Sequence, residues 1–283
     1  MTPIGIQGRE EIRLFIVGHP VFQRWQQASS LNTQAFTAAF ERNPWLALGE
    51  QLFMAGEVLY DEERPDILPL DIRISLAQTI INAQTYFWQW KPIFTAKAMP
   101  VPRHTFTAQS LPYPSMFWTF PSDMVASDEY HASRGLLLIQ EGDDLHVWFN
   151  LYKDTPEPPT LGIQILKGGS IFPDDFQDSP DVLNGATYIF QLLAFLNSPY
   201  IEKTESHPDR STRRAGRQRP HDEIPGVTVV TLRSPTIVKE GWEEKTEETR
   251  AWLHRWWVRG HIRAQWYPSR QGHQLIWIAP HLK

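Results

Sequence analysis

The chain has 283 residues, a formal net charge of −5, 41% hydrophobic residues, 12 tryptophans and no cysteine. A length of that size lies between one large domain and two ordinary ones. Without cysteine there is no disulfide framework and no thiolate chemistry, and the longest apolar run, Tyr188 to Leu196, is far short of the ~20 residues a membrane span needs.

In chain order, the first elements read as helices. Asn32 and Thr33 are good caps for a helix over Gln34–Arg42, which Asn43-Pro44 interrupts. Pro44 opens a second helix, Trp45–Leu59, in which Leu48, Leu52, Ala55 and Leu59 recur at helical spacing. Pro65 and Pro69 mark a linker. Asp71 caps a third helix predicted from Ile72 to Trp90 and ended by Lys91-Pro92. These helices read as core and scaffold.

From Pro92 to Pro121 prolines recur and periodicity disappears. Strands follow: Gly135–Gln140, a turn at residues 141–144, then Leu145–Tyr152, in which Leu145, Val147, Phe149 and Leu151 face one way. Thr160–Lys167 reads as a third antiparallel strand, and Asp178, Ser179 and Pro180 open a helix to about Asn197. Neither a phosphate-binding G-x-x-x-x-G-K-[ST] loop nor a G-x-G-x-x-G turn occurs, so no cofactor is expected. The stretch Glu202–Pro225 is almost wholly polar, with Arg210, Arg213, Arg214, Arg217 and Arg219 clustered in ten residues. Such composition cannot bury enough apolar surface to order itself. It reads as a linker or basic arm, either tracking phosphates or merely solubilising.

Charge is unevenly shared. Residues 200–283 hold 15 Lys/Arg against 10 Asp/Glu, a balance of +5, while residues 1–199 carry −10. An asymmetry of that kind suits a C-terminal part that meets an anion, or two parts that attract each other. Gly226–Arg233 reads as a strand, and the charged run 239–249 as the start of a short helix. From Arg255 to Tyr267 the chain alternates. Trp256, Val258, Ile262, Ala264 and Trp266 form the expected buried row; Arg255, Trp257, Arg259, His261, Arg263, Gln265 and Tyr267 form the polar one. A turn over Pro268–His273 and a returning strand Gln274–Ala279 complete an antiparallel hairpin.

Side chains two residues apart on a strand project roughly 7 Å apart, close to the spacing of successive phosphates. Arginine binds phosphate bidentately, and Trp257 and Tyr267 are placed to stack bases. The row therefore reads as a nucleic-acid-binding face, with Arg213, Arg214 and Arg217 as further contacts. Metal-independent ribonuclease chemistry is an alternative. It would use His261 and His273 as proton carriers, with Arg259 and Arg263 holding the developing charge. Whether the protein is an enzyme is left open. No metal site is expected, because the histidine spacing fits no common zinc pattern and no H-E-x-x-H occurs.

The C-terminal residues Arg259, Gly260, His261, Arg263 and Gln265, followed by Trp277, Ile278, Pro280 and Lys283, carry a resemblance. The pattern R-G-H-x-R-x-Q, a variable turn, then W-I-x-P-x-x-K, resembles the ending of a group of uncharacterised proteins from bacterial, especially actinobacterial, phage and plasmid genomes. The resemblance spans roughly the last 100 residues and implies a mobile-element or phage-related context, toxin–antitoxin systems included.

The expected protein is α+β and cytoplasmic. Residues 1–200 form N-terminal helices with a small antiparallel sheet, 201–225 a polar Arg-rich linker, and 226–283 a β-rich aromatic and basic module. Its expected partner is nucleic acid, RNA or single strands ahead of duplex. A protein partner in a defence or anti-defence system is a further alternative, and no membrane is involved.

Overall fold

The computed structural model describes residues 8–60, 68–97, 104–105, 111–121, 124–125, 131–152, 160–168, 171–172, 180–196, 198–217, 224–233, 257–258, 261–270, 272–278 and 281–282. Five helices come first: α1 (Arg9–Gly18), α2 (Pro20–Ser29), α3 (Thr33–Arg42), α4 (Ala47–Tyr60) and α5 (Leu70–Asn82). Asn32 caps α3 as its sequence predicts, its Oδ1 accepting from the Ala35 N–H at 2.9 Å. Strand β1 (Gln84–Trp88) and helix α6 (Trp90–Lys97) follow, then β2 (His104–Thr105), β3 (Ser115–Thr119), β4 (Met124–Val125), β5 (His131–Glu141), β6 (Asp144–Tyr152), β7 (Thr160–Leu166) and β8 (Ile171–Phe172). The remaining elements are α7 (Pro180–Leu196), β9 (Ile201–Ser206), α8 (Arg210–Gly216), β10 (Val227–Leu232), β11 (Trp257–Val258), β12 (His261–Tyr267), β13 (Gly272–Ile278) and β14 (His281–Leu282).

The fold is α+β. Its main sheet runs β7-β6-β5-β3-β1-β10-β9, with β4 pairing β5. It is larger than expected and mixed, because β1 lies parallel to both β3 and β10. Alternate residues along the central strands point into two different cores. Tyr86, Trp88, Met116, Trp118, Leu136 and Leu138 pack with Ile93 of α6 and with Phe190, Leu193 and Phe195 of α7. On the other face Phe117 and Leu137 meet α1, α4 and α5, and Phe87, Val227 and Val229 meet α2 and α3. The molecule is thus a helix–sheet–helix sandwich.

Three expectations are corrected. The helix predicted to reach Trp90 ends at Asn82, and the chain switches to the strand β1. Buried Gln51 fixes the switch. Its Nε2 donates to the carbonyl of Ala83 (3.0 Å), beyond the helix end, and to that of Ile80, which also accepts from the Ala83 N–H, while its Oε1 accepts from the Thr85 hydroxyl at 2.6 Å. Lys91-Pro92 begins a helix instead of ending one; Pro92 sits in the first turn of α6, where its missing N–H costs nothing. The segment expected as a linker over 201–225 carries β9 and α8. β9 pairs with β10 along its whole length, from Val227↔Ser206 to Leu232↔Ile201. Main-chain pairing to a buried neighbour orders a strand that apolar content alone would not. β10 itself lies inside the main sheet, between β1 and β9.

Buried Glu50 of α4 accepts from Trp25 Nε1 at 2.8 Å and lies 4.0 Å from Arg134 Nε. The register of β5 on β6 shifts between Ala132 and Leu136, and Arg134 sits in that irregularity with its guanidinium 4.2 Å from the centroid of the Phe36 ring. Bulges redirect side chains in this way, and here one ties the sheet to α3 and α4. Among the described residues no helix is long and apolar enough to cross a membrane.

Candidate nucleic-acid interface

The C-terminal hairpin forms as expected. β12 pairs with β13 from His261↔Ile278 to Tyr267↔Gly272, and β11 pairs with β14 in the same register, Trp257↔Leu282 and Val258↔His281. Residues directly opposite each other on an antiparallel ribbon share a face. Arg263 therefore shares a face with Ile276, and Trp266 occupies the other face.

Burial on this ribbon departs from the expected pattern. Ile276 is buried at 9%, whereas Trp266, predicted for the buried row, is 48% exposed. The cause is packing: β13 lies against α7, so burial follows contact with that helix more than alternation along β12. Arg263 is exposed. Its Nη2 donates to Gln265 Oε1, whose own Nε2 donates to the Trp266 carbonyl at 3.4 Å. Tyr267 is half-buried. Arg263, Gln265 and Tyr267 thus sit in one row, as the alternation predicts.

In the backbone register His261 lies opposite Ile278 and His273 opposite Trp266. Trp257 lies in β11, whereas Arg255, Arg259 and the segment 239–249 fall outside the described residues. Among the described residues no three His, Cys, Asp or Glu side chains group to hold a metal ion.

The second cationic feature is α8. Asp209 caps it, accepting from the Thr212 N–H at 2.8 Å and from the Thr212 hydroxyl at 3.1 Å. Hydrogen bonds from the Ser211 hydroxyl and the Thr212 amide hold the Asp209 carboxyl below the usual carboxylate range. Thr212 and Gly216 are buried. Arg210, Arg213, Arg214 and Arg217 are all exposed. Their spacing, i, i+3, i+4, i+7, puts them on one helical stripe, turned away from the buried pair. No acidic group among the described residues forms an ion pair with any of the four.

α8 rests on α2, where Arg24 Nη2 donates to Ser211 Oγ at 3.4 Å. The sequence of α2, PVFQRWQQAS, holds no acid, and Gln23, Gln26 and Gln27 are exposed on it. The two helices therefore present five arginines, with Asp209 as the only carboxylate on either helix or its cap.

The stripe contains four like-charge pairs at i,i+3 or i,i+4, each destabilising by about 0.2–0.5 kcal/mol. Arg213 and Arg214 lie in the last turn and Arg217 at the C-cap, where the helix dipole favours cations and offsets that repulsion; Arg210 alone sits in the first turn. The arginines of α8 and the hairpin also do not form one surface. α8 belongs to the α2 side of the sheet, since Ile224, which a side chain at Gly216 would strike, packs with the α2–α3 core. β13 lies on α7, on the far side.

The sequence singled out the cluster Arg210, Arg213, Arg214 and Arg217 as a basic arm, with Arg213, Arg214 and Arg217 as contacts, but gave no sign of Arg24 as part of the surface. The helical spacing of the four arginines behind a capping Asp was the signal available for α8.

No family model matches the chain, and no curated protein matches it. Among solved structures, one described as the crystal structure of AcrVA2 is similar over 96% of this chain and 96% of that one, at 13% identity and a TM-score of 0.43; a likeness that distant carries no functional argument.

Proposed function

We propose that the protein binds nucleic acid through its phosphates, and that the outward arginine stripe of α8 is the observation that carries this reading. Four exposed arginines on one helical face, without acidic partners among the described residues, suit an external anion. Arginine in place of lysine suits phosphate, whose oxygens accept bidentately from its planar fork. A membrane surface fits less well, because an interfacial helix needs an apolar face to insert, and α8 turns its remaining face onto α2 and Ile224. The protein's net charge of −5 makes such a patch the local attraction against an overall repulsion.

The hairpin supplies a second contact surface. Arg263, Gln265 and Tyr267 are its described members, and Arg255, Trp257, Arg259 and His261 extend it by sequence. Tyr267 in that row offers a ring for base stacking, worth ~1–3 kcal/mol per base, whereas Trp266 lies on the other face of the ribbon. The ribonuclease reading, with His261 and His273 as proton carriers, is the alternative that the denaturing gels below test. A mobile-element or phage-related setting is proposed from the C-terminal sequence pattern alone.

The test is fluorescence anisotropy with labelled RNA and DNA, in EDTA, at two salt concentrations, with denaturing gels run on the same samples. The expected result is binding that weakens steeply with salt and leaves the probe intact. Shortened RNA in EDTA would favour the ribonuclease reading. No binding by any probe would overturn the proposal and point to an acidic protein partner.

A further inference from the structure

We infer that the α2–α8 surface takes double-stranded nucleic acid, a reading that rests on the nucleic-acid binding proposed above and narrows it. The sequence favours single strands because the hairpin joins cations to aromatic rings. The α2–α8 surface has no such rings to offer. α8, RSTRRAG, contains no aromatic residue. Of the two in α2, Trp25 is buried and Phe22 packs against the core beneath. A single strand gains much of its affinity by stacking unpaired bases on aromatic side chains, and this surface provides charge alone.

Charge density separates the two substrates. From Arg210 to Arg217 the stripe advances about 10.5 Å along the helix axis. Over that length a duplex carries about six phosphates on its two strands together, at one per ~1.7 Å of axis. A single strand carries about half that charge density or less, so the concentrated stripe, with Arg24 beside it, favours the denser field of the duplex. The helix is held by its cap and by packing on α2, so it meets the duplex as a preset straight row of donors. Nothing in such a contact reads base identity, so the binding is insensitive to sequence.

The experiment compares the full-length protein with two variants. One carries Arg210→Gln, Arg213→Gln, Arg214→Gln and Arg217→Gln; the other carries lysine at the same four positions. Circular dichroism checks that both fold. The probes are a 20-base-pair RNA duplex, a DNA duplex of the same sequence, and their separated strands. Wild type is expected to bind at least one duplex about tenfold or more tightly than either of its strands, with the RNA and DNA arms showing which duplex geometry fits. The glutamine variant loses that preference, and its slope of log K against log salt becomes shallower by up to about 3.6, at ~0.9 per phosphate contact. The lysine variant keeps most of the slope. A preference for single strands, or a duplex preference that survives in the glutamine variant, would overturn the inference and leave nucleic-acid binding standing. Failure to bind any of the probes would overturn both.

Discussion

Replacing Asp209 by alanine should loosen α8 without disturbing the rest of the molecule. The helix has seven residues, and isolated helices shorter than ~12–15 residues are marginal in water. Its support is the cap, the burial of Thr212 and Gly216, and contact with α2. Alanine removes the acceptor for the Thr212 amide, the Thr212 hydroxyl and the Ser211 hydroxyl together. Loss of an N-cap costs about 1 kcal/mol, within a range of ~0.5–2, which makes local opening about fivefold more frequent. Amide hydrogen exchange reads this directly. The Arg213 N–H bonds to the Asp209 carbonyl at 3.0 Å and the Arg217 N–H to the Arg213 carbonyl at 3.1 Å. Both should exchange about fivefold faster in the variant, while amides of β1 and β3, in the buried centre of the sheet, keep their protection. Asp209→Ser, which retains a capping oxygen, should restore most of the loss. Unchanged exchange at Arg213 and Arg217 would refute the role given to the cap. Equal acceleration in β1 would show that the change is global.

Two further outcomes follow from buried and charged groups elsewhere. Gln51→Leu removes the side-chain partner of the Ala83 carbonyl and of the Thr85 hydroxyl in the core, while the Ile80 carbonyl keeps its bond from the Ala83 N–H. With each unsatisfied group costing about 1–3 kcal/mol, urea unfolding should show a loss of roughly 2–4 kcal/mol, and a loss below about 1 kcal/mol would contradict the account of the α5–β1 switch. Asp144 is held below the usual carboxylate range by the hydrogen bond from the Lys167 ammonium, 2.8 Å away, and by the Gly168 N–H. A depressed folded value means that its stabilisation is present above the ordinary aspartate value near ~3.9 and is lost as pH falls through the lower folded one. Asp144→Asn should therefore flatten the acid limb of Tm against pH; a limb as steep as in wild type would show that other carboxylates set it.

What the sequence made legible follows from which signals each element carries. The cap at Asn32, the turn before Asp144, the helix opened by Pro180 and the C-terminal hairpin each have local chemistry that points one way. β1 did not. Tyr86, Phe87 and Trp88 are all buried because both faces of this central strand are covered, so the run shows no alternation and reads as a continuation of the apolar helix before it. β9 failed for the opposite reason. Its residues Glu202, Lys203, Thr204 and Glu205 are all exposed, as suits an edge strand guarded by charge, and its order comes from β10, about twenty residues further on. The site was half legible. The arginines of α8 stood out as a cluster, but composition argued for disorder, and the helical phase that aligns them became apparent only once Asp209 and α2 were seen to hold the helix. The inverted burial of Trp266 depends on which strand of the hairpin meets α7, a tertiary choice that no pattern within the hairpin encodes.

The most direct measurement of the central claim is the affinity of the wild-type protein for a labelled nucleic acid as a function of salt. Engagement of even three of the arginines should give a slope of log K against log salt of about −2 to −3, since each phosphate contact contributes roughly 0.7 for single strands and 0.9 for duplex. A flat response, or no binding at low salt, would contradict the account and leave the arginine stripe to a different anionic partner.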